Sequence, residues 1–222
     1  MEIGSRQWQS LIIDGARELD IEIDESAAAS FSTHALELVR WSRKINLTSI
    51  TQPRDIAVKH FLDSLAPAQF IPENARMLDI GSGGGFPGIP LKILKPSLSV
   101  LLIDGVRKKA NFLKQLLRTL KLERIEAHQV RAEKLLEDPA FLNSFDVVIS
   151  RALSSLAAFA KLAMPLVAAH GNIIAMKGEI DRIELDKLRS DFPKNRYHIE
   201  IKYYKLSSIH VQRSIVIIRR NG

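Results

Sequence analysis

Cysteine is absent from all 222 residues. That excludes cysteine-ligated metal clusters, the radical enzymes that need them, and cysteine nucleophiles. It also fits a reducing compartment, so a cytoplasmic location is expected. Apolar runs long enough to span a bilayer are missing, as is the apolar core of a signal peptide at the N-terminus. Internal repeats and low-complexity segments do not occur. What is present is ordinary for a globular chain, 46% apolar and 26% charged residues, with length enough for one large domain or a domain plus an extension. The charge is unbalanced: a net +7 at pH 7 favours a polyanionic partner.

The first 70 or so residues carry no strand signal. Trp8, Leu11, Ile12, Ala16 and Leu19 recur at helical spacing. Asp24 is an N-cap candidate for a second helix through Phe31, Ala35, Leu38, Val39 and Trp41, which runs into Arg40, Arg43 and Lys44. Pro53 and Asp55 open a third, through Val58, Phe61, Leu62 and Leu65. Residues 1–72 therefore read as a helical extension packed on one edge of a second domain, 73–222, with the joint at Ile71-Pro72-Glu73-Asn74. Beyond the joint, apolar runs alternate with amphipathic segments, the pattern of a doubly wound α/β sheet. Strands are expected near 76–80, 98–104, 124–130, 145–150 and 171–176, with the clearest helix from Arg107 to Lys121. Residues 196–206 and 210–219 form β-type runs separated by Ser207-Ser208, which suggests a C-terminal antiparallel hairpin and a seven-stranded mixed sheet.

The organising stretch is Leu78-Asp79-Ile80-Gly81-Ser82-Gly83-Gly84-Gly85-Phe86-Pro87-Gly88. It reads as strand, tight turn and helix start. Gly81, Gly83 and Gly85 suit a backbone at positive φ that a ligand approaches closely, and Pro87 suits a first helical turn. Spacing alone leaves the ligand open, because the register Gly83-x-Gly85-x-x-Gly88 matches a dinucleotide fingerprint. Asp79 before the first glycine, and Asp104 at the end of the next apolar run, resemble instead the S-adenosylmethionine site of Rossmann-like methyltransferases, with Asp104 on the ribose hydroxyls.

Ligands of open α/β sheets sit beyond the carboxyl ends of the strands. This draws attention to Arg131-Ala132-Glu133, Ser150-Arg151-Ala152 and Lys177-Gly178. Ala132 and Glu133 lie where an adenine is edge-bound, although Glu133 also suits a helix start. Arg151 ends a very apolar strand and needs a partner, either a ligand or a structural acid such as Asp79 or Asp104. Enzymes that methylate exocyclic amines often carry an Asn/Asp-Pro-Pro-aromatic run here. This chain has Ser-Arg-Ala-Leu, which points to a different acceptor atom.

In order along residues 40 to 180 come Trp41-Ser42-Arg43-Lys44-Ile45-Asn46-Leu47-Thr48, Lys59-His60-Phe61-Leu62-Asp63-Ser64-Leu65, the glycine stretch, Ile103-Asp104-Gly105-Val106-Arg107-Lys108-Lys109, Arg131-Ala132-Glu133, Ser150-Arg151-Ala152 and Met176-Lys177-Gly178. Together they closely resemble the small-subunit ribosomal RNA guanine-N7 methyltransferases, the glucose-inhibited division protein B family. The resemblance implies a Rossmann-like class I methyltransferase domain over 73–222, with S-adenosyl-L-methionine as cofactor. The implied substrate is N7 of a guanine in the decoding-region loop of 16S ribosomal RNA, free or in the small ribosomal subunit. Carried over by position, Gly81, Phe86, Ala132, Glu133 and Arg151 would line the cofactor beside Gly83, Gly85 and Asp104. Guanine N7 has a lone pair and no proton to lose, so no general base is needed, and Arg151 would be the catalytic orienter of a carboxylate, base or phosphate. Arg107, Lys108 and Lys109, with Arg43 and Lys44, would form an RNA-binding rim. Asn46, His60 and Asp63 read as structural, a helix end and an i,i+3 pair. No membrane or metal partner is expected, and the chain is expected to be a monomer. A dinucleotide-dependent oxidoreductase is the rival enzyme class, weakened by Asp79 and the terminal hairpin. A non-catalytic RNA-binding protein with a relic cofactor fold is the third reading.

Overall fold

The computed structural model describes residues 1–151, 155–206 and 211–221. Ala152 and the expected turn at Ser207-Ser208 lie outside them. Ser5 caps the first helix, α1 (Arg6–Arg17), by accepting from Trp8 N, and Asp24 caps α2 (Glu25–Ser42) by accepting from Ala27 N at 2.7 Å. The helix opened by Pro53 is not uniform. It starts as α3 (Pro53–Ile56), widens into π turns over Ala57–Leu62, returns through α4 (Asp63–Leu65), and tightens to a 3-10 turn over Ala66–Phe70. π turns inside helices are rare and concentrate at functional sites.

Seven strands follow: β1 (Arg76–Ile80), β2 (Ser99–Asp104), β3 (Ile125–Gln129), β4 (Phe145–Ser150), β5 (Val167–Lys177), β6 (Tyr197–Leu206) and β7 (Val211–Arg220). Their spatial order is β3-β2-β1-β4-β5-β7-β6. The first five are parallel, and β7 runs antiparallel to both β5 and β6. The hairpin is therefore folded so that its second strand, not its first, pairs with β5, and its first forms the sheet edge. Order reverses on either side of β1, and a crevice opens there. Among the described residues five further α-helices follow, α5 (Gly88–Leu94), α6 (Arg107–Leu120), α7 (Ala132–Leu135), α8 (Leu156–Ala163) and α9 (Arg182–Asp191), with a 3-10 turn over Pro139–Phe141. Pro87 precedes α5 as its cap instead of entering the first turn.

The N-terminal helices cover a face of the sheet, not an edge. One hydrophobic cluster joins Trp8, Phe31 and Phe61 to Met77, Val147, Ile149, Ile174 and Ile217. The cause is an apolar supply on both sides: the inward residues of β1, β4, β5 and β7 need a cover, and the 53–70 run provides it. Trp8 and Phe61 meet edge to face with centroids 5.7 Å apart, and Trp8 Nε1 donates to Pro53 O at 2.9 Å. Each fully buried ring contributes roughly 1.5–3 kcal/mol. The opposite face is closed by α7, α8 and α9 through Leu135, Leu156, Phe159 and Leu188.

Candidate active site

The carboxyl ends of the parallel strands carry two adjoining features, a glycine-lined crevice over β1 and β2 and a cavity over β4, β5 and the amino end of the antiparallel β7. In the crevice Gly81, Gly83 and Gly85 have φ of 73°, 53° and 91°. The two acids of the motif hold this turn in place. Asp104 accepts from Gly83 N at 3.1 Å and from Val106 N at 2.8 Å. Asp79 Oδ2 accepts from Gly88 N at 2.9 Å, while its Oδ1 is buried without a hydrogen bond. Burial pushes the Asp79 carboxyl up to about 7. Gly88 is a packing glycine, because an added Cβ would overlap Leu102 and come 2.7 Å from Asp79 Oδ2.

A side chain from the N-terminal region completes the loop. His34 of α2, fully buried, bonds Gly84 O through Nε2 at 2.7 Å. Since a carbonyl only accepts, Nε2 carries the proton and Nδ1 is the bare nitrogen. Phe86 lies between two imidazoles, with centroids 4.6 Å from both His34 and His60. Its ring, expected from the sequence to line the cofactor, is a buried core group stacked against both. Burial lowers His34 to about 4 and His60 to about 3, the latter helped by the Arg151 charge.

The cavity measures about 520 Å³ and is lined by Lys59, His60, Asp63, Arg151, Lys177 and Arg213 among others. Arg151 does not pair with Asp79 or Asp104, the acids that the sequence offers it. It is bound from the 53–70 run: Nη1 donates to Lys59 O at 2.8 Å and to Asp63 Oδ2 at 3.3 Å, and Nη2 meets His60 Nδ1 at 3.1 Å. His60 Nε2 meets Thr48 Oγ1 at 2.8 Å. The expected i,i+3 pair of His60 and Asp63 does not form, because the π turns change the spacing and both side chains converge on Arg151 instead. Asp63, 1% exposed, also accepts from Tyr204 Oη at 2.6 Å and twice from Arg213. Tyr204, Arg213 and His34 give no signal in the sequence because their partners are 141, 150 and 50 residues away. The Lys59-His60-Asp63 run is the one local pointer to them.

The remaining expected residues spread around this centre. Ala132 is buried at the start of α7, and Glu133 is exposed in its first turn. Lys44, Asn46, Val106, Lys108 and Lys109 line one depression of about 280 Å³. The structure thus brings Lys44 to Lys108 and Lys109, whereas Arg43 and Arg107 are exposed outside it. Among the described residues no cluster of three metal-ligating side chains occurs, and no helix is long and apolar enough to cross a membrane.

A family model described as GidB, rRNA small subunit methyltransferase G, matches residues 27–215. Ribosomal RNA small subunit methyltransferase G of Geobacter sp. (strain M21) is 40% identical over 214 residues, covering 96% of this chain and 98% of that one. Its namesake from Geotalea uraniireducens is 44% identical over 80% of each chain. The chain belongs to the GidB family. Two solved structures share the fold: a SAM-dependent methyltransferase from Aquifex aeolicus (TM-score 0.57, 16% identical, covering 75% of this chain and 93% of that one), and M. jannaschii TYW2 in complex with AdoMet (0.56, 18%, 72% and 75%). The chain is a Rossmann-like methyltransferase acting on ribosomal RNA with S-adenosylmethionine. The crevice fits that cofactor: where a Cβ on Gly81 would stand nothing lies within 4 Å, and at Gly83 only Gly81 O does, at 3.8 Å. The methyltransferase therefore keeps its glycine backbone open on that side.

Proposed function

We propose that this methyltransferase modifies N7 of a guanine in the decoding-region loop of 16S ribosomal RNA, with the base seated in the cavity over β4 and β5. One observation carries the reading. Among the described residues lining the cavity, the groups able to take a proton are already engaged. His60 has both ring nitrogens in hydrogen bonds, Asp63 is held by Tyr204 and two arginines, and Lys177 is paired to Glu184 at 2.6 Å. A site without a free base suits an acceptor atom that has a lone pair and no proton to lose.

Bound S-adenosylmethionine supplies a methyl group on positively charged sulfur. The backbone at Gly81 and Gly83 admits it, whereas the expected Gly85 is closed on its Cβ side by Ile89 and His34 and shapes the turn instead. Asp104 has lone pairs left for ribose hydroxyls, and Ala132 and Glu133 border the adenine end. Arg151 stands between crevice and cavity, its guanidinium 5.2 Å from the Phe86 centroid, and is held by Lys59 and His60 so that it orients what lies on either side. The rate gain assigned to the chain is alignment of donor and acceptor, a proximity effect.

The test is product mapping. Small subunits or 16S RNA treated with enzyme and cofactor are reduced with borohydride and cleaved with aniline, which breaks the chain at N7-methylguanine. One new cleavage in the decoding-region loop is expected, with kcat flat across neutral and mildly alkaline pH. A methyl on another atom, or a rate that follows a single ionising base, overturns the reading.

A further inference from the structure

The cavity holds more positive charge than its own acids balance. Lys59 is matched by Asp55 at 3.0 Å and Lys177 by Glu184 at 2.6 Å. Arg151 and Arg213 have one carboxylate between them, Asp63, at 3.3 Å and 2.8 Å. The neighbouring segments 152–154 and 207–210 contain no Asp or Glu. Asp79, the next acid toward Arg151, is buried, and burial pushes its carboxyl up to about 7, away from the charged form. A guanidinium fork without its own anion, largely withdrawn from water, calls for one.

Arg213 is shaped to receive it. Its Nε and Nη2 are spent on the two oxygens of Asp63, 2.9 Å and 2.8 Å away, which fixes the plane of the group. Its Nη1 makes no hydrogen bond among the described residues and faces Gly178, where an added Cβ would stand 3.5 Å from it. Gly178 is not at positive φ, so its backbone does not require glycine. The missing side chain leaves space next to Nη1. The side chains of Arg213 and Arg151 are 24% and 18% exposed, open enough for a ligand to reach.

We propose that Arg213, with Arg151 and the gap over Gly178, binds a backbone phosphate of the RNA beside the target guanine. This rests on the reading that the cavity seats that base. A base drawn into a pocket leaves its phosphate at the mouth, and arginine forks match phosphate oxygens. The cofactor carboxylate is the competing anion. It is disfavoured by position, because β7 stands three strand spacings from β1, about 14 Å at ~4.8 Å per strand.

Two variants test the site. Gly178→Asp places a carboxylate beside Nη1 and leaves every partner of Asp63 in place. Arg213→Gln removes the charge. Each is assayed for KM and kcat on small ribosomal subunits, for RNA affinity across a salt series, and for S-adenosylhomocysteine affinity by calorimetry. Both should raise KM for RNA at least tenfold, with the change in KM and not in kcat. The slope of log K against log salt should flatten by about 0.7–0.9 for the single phosphate no longer held. S-adenosylhomocysteine should bind as in wild type. If Arg213→Gln does not fold, Gly178→Asp decides. Unchanged KM and salt slope in Gly178→Asp overturn the proposal, and weakened S-adenosylhomocysteine binding assigns the site to the cofactor carboxylate. Absence of N7-methylguanine from the wild-type product would sink the assigned reaction, while RNA affinity and salt slope would still judge the phosphate site.

Discussion

Asp63 and Arg213, 150 residues apart in sequence, meet in a two-pronged ion pair with both carboxylate oxygens engaged. Tyr204 and Arg151 complete four side-chain donors on one buried acid. Asp63→Asn leaves two arginines in the cavity without their counterion. Stability should drop by about 3–5 kcal/mol, the range for breaking a buried pair from one side. Tyr204→Phe, losing one hydrogen bond to a charged group, should cost about 1.5–3 kcal/mol. Urea midpoints measure both, and equal small losses would mean that the acid is not the hub.

The two kinds of glycine in the loop should separate binding from stability. Gly83→Val puts a branched side chain at φ 53° on the open side of the crevice, so cofactor binding should be lost. Gly88→Ala meets Leu102 and Asp79, so stability should fall instead, by about 1–3 kcal/mol. Calorimetry and thermal melts give the two readouts. A Gly83→Val protein that folds and binds normally would show the register of the turn to be wrong.

Asp104→Ala should weaken cofactor binding by about 1.5–3 kcal/mol through the loss of charged hydrogen bonds. The same carboxylate also holds Gly83 N and Val106 N, so Asp104→Asn, which keeps one acceptor, should retain more of the affinity. Titration with S-adenosylhomocysteine decides, and wild-type affinity in a folded Asp104→Ala would remove the residue from the site.

Stability against pH should show two opposing slopes. Asp79 is raised to about 7, so the folded chain keeps a proton that the unfolded chain releases above the ordinary carboxylate range. Its stabilising effect is complete at low pH and lost as pH rises to about 7, with a limiting slope of about 1.4 kcal/mol per unit. His34, lowered to about 4, works the other way: the unfolded chain takes up a proton below its ordinary 6.5, and stability falls as pH drops toward 4. Relative to wild type, Asp79→Asn should gain stability from pH 4 to 7, and His34→Gln should gain it from 6.5 down to 4. A pH-independent difference in Asp79→Asn would mean that the acid is ionised in the fold.

The basic rim divides unevenly. Lys44, Lys108 and Lys109 share a depression and Arg107 lies outside it. Replacing the three lysines with Gln should flatten the RNA salt slope by about 0.7–0.9 per phosphate bound, and Arg107→Gln should change it less. Parallel slopes for wild type and triple variant would make the lysines merely solvated.

The sheet is legible because strand periodicity and the glycine turn are local signals. Seven runs read from alternation and β-branching correspond to seven strands, and the Asp24 cap stands where expected. What stays hidden is long-range. Nothing local says that Arg151 turns to Asp63 and not to Asp79 or Asp104, that Phe86 is enclosed by His34 and His60, or that a π stretch displaces the spacing around His60. An edge position for the N-terminal helices fails for the same reason: amphipathicity shows that a helix has an apolar stripe, not which surface it meets.

The strand carrying Arg213 is the last in chain order yet sits between β5 and β6 in space. A nascent chain can therefore form the crevice over β1 and β2 while the cavity over β4 and β5 still lacks a wall. During synthesis, when N-terminal parts fold first, the turn proposed for the methyl donor precedes the wall of the cavity proposed for the RNA base. The proposed phosphate site is complete only after residue 213 has emerged from the ribosome that is making the chain.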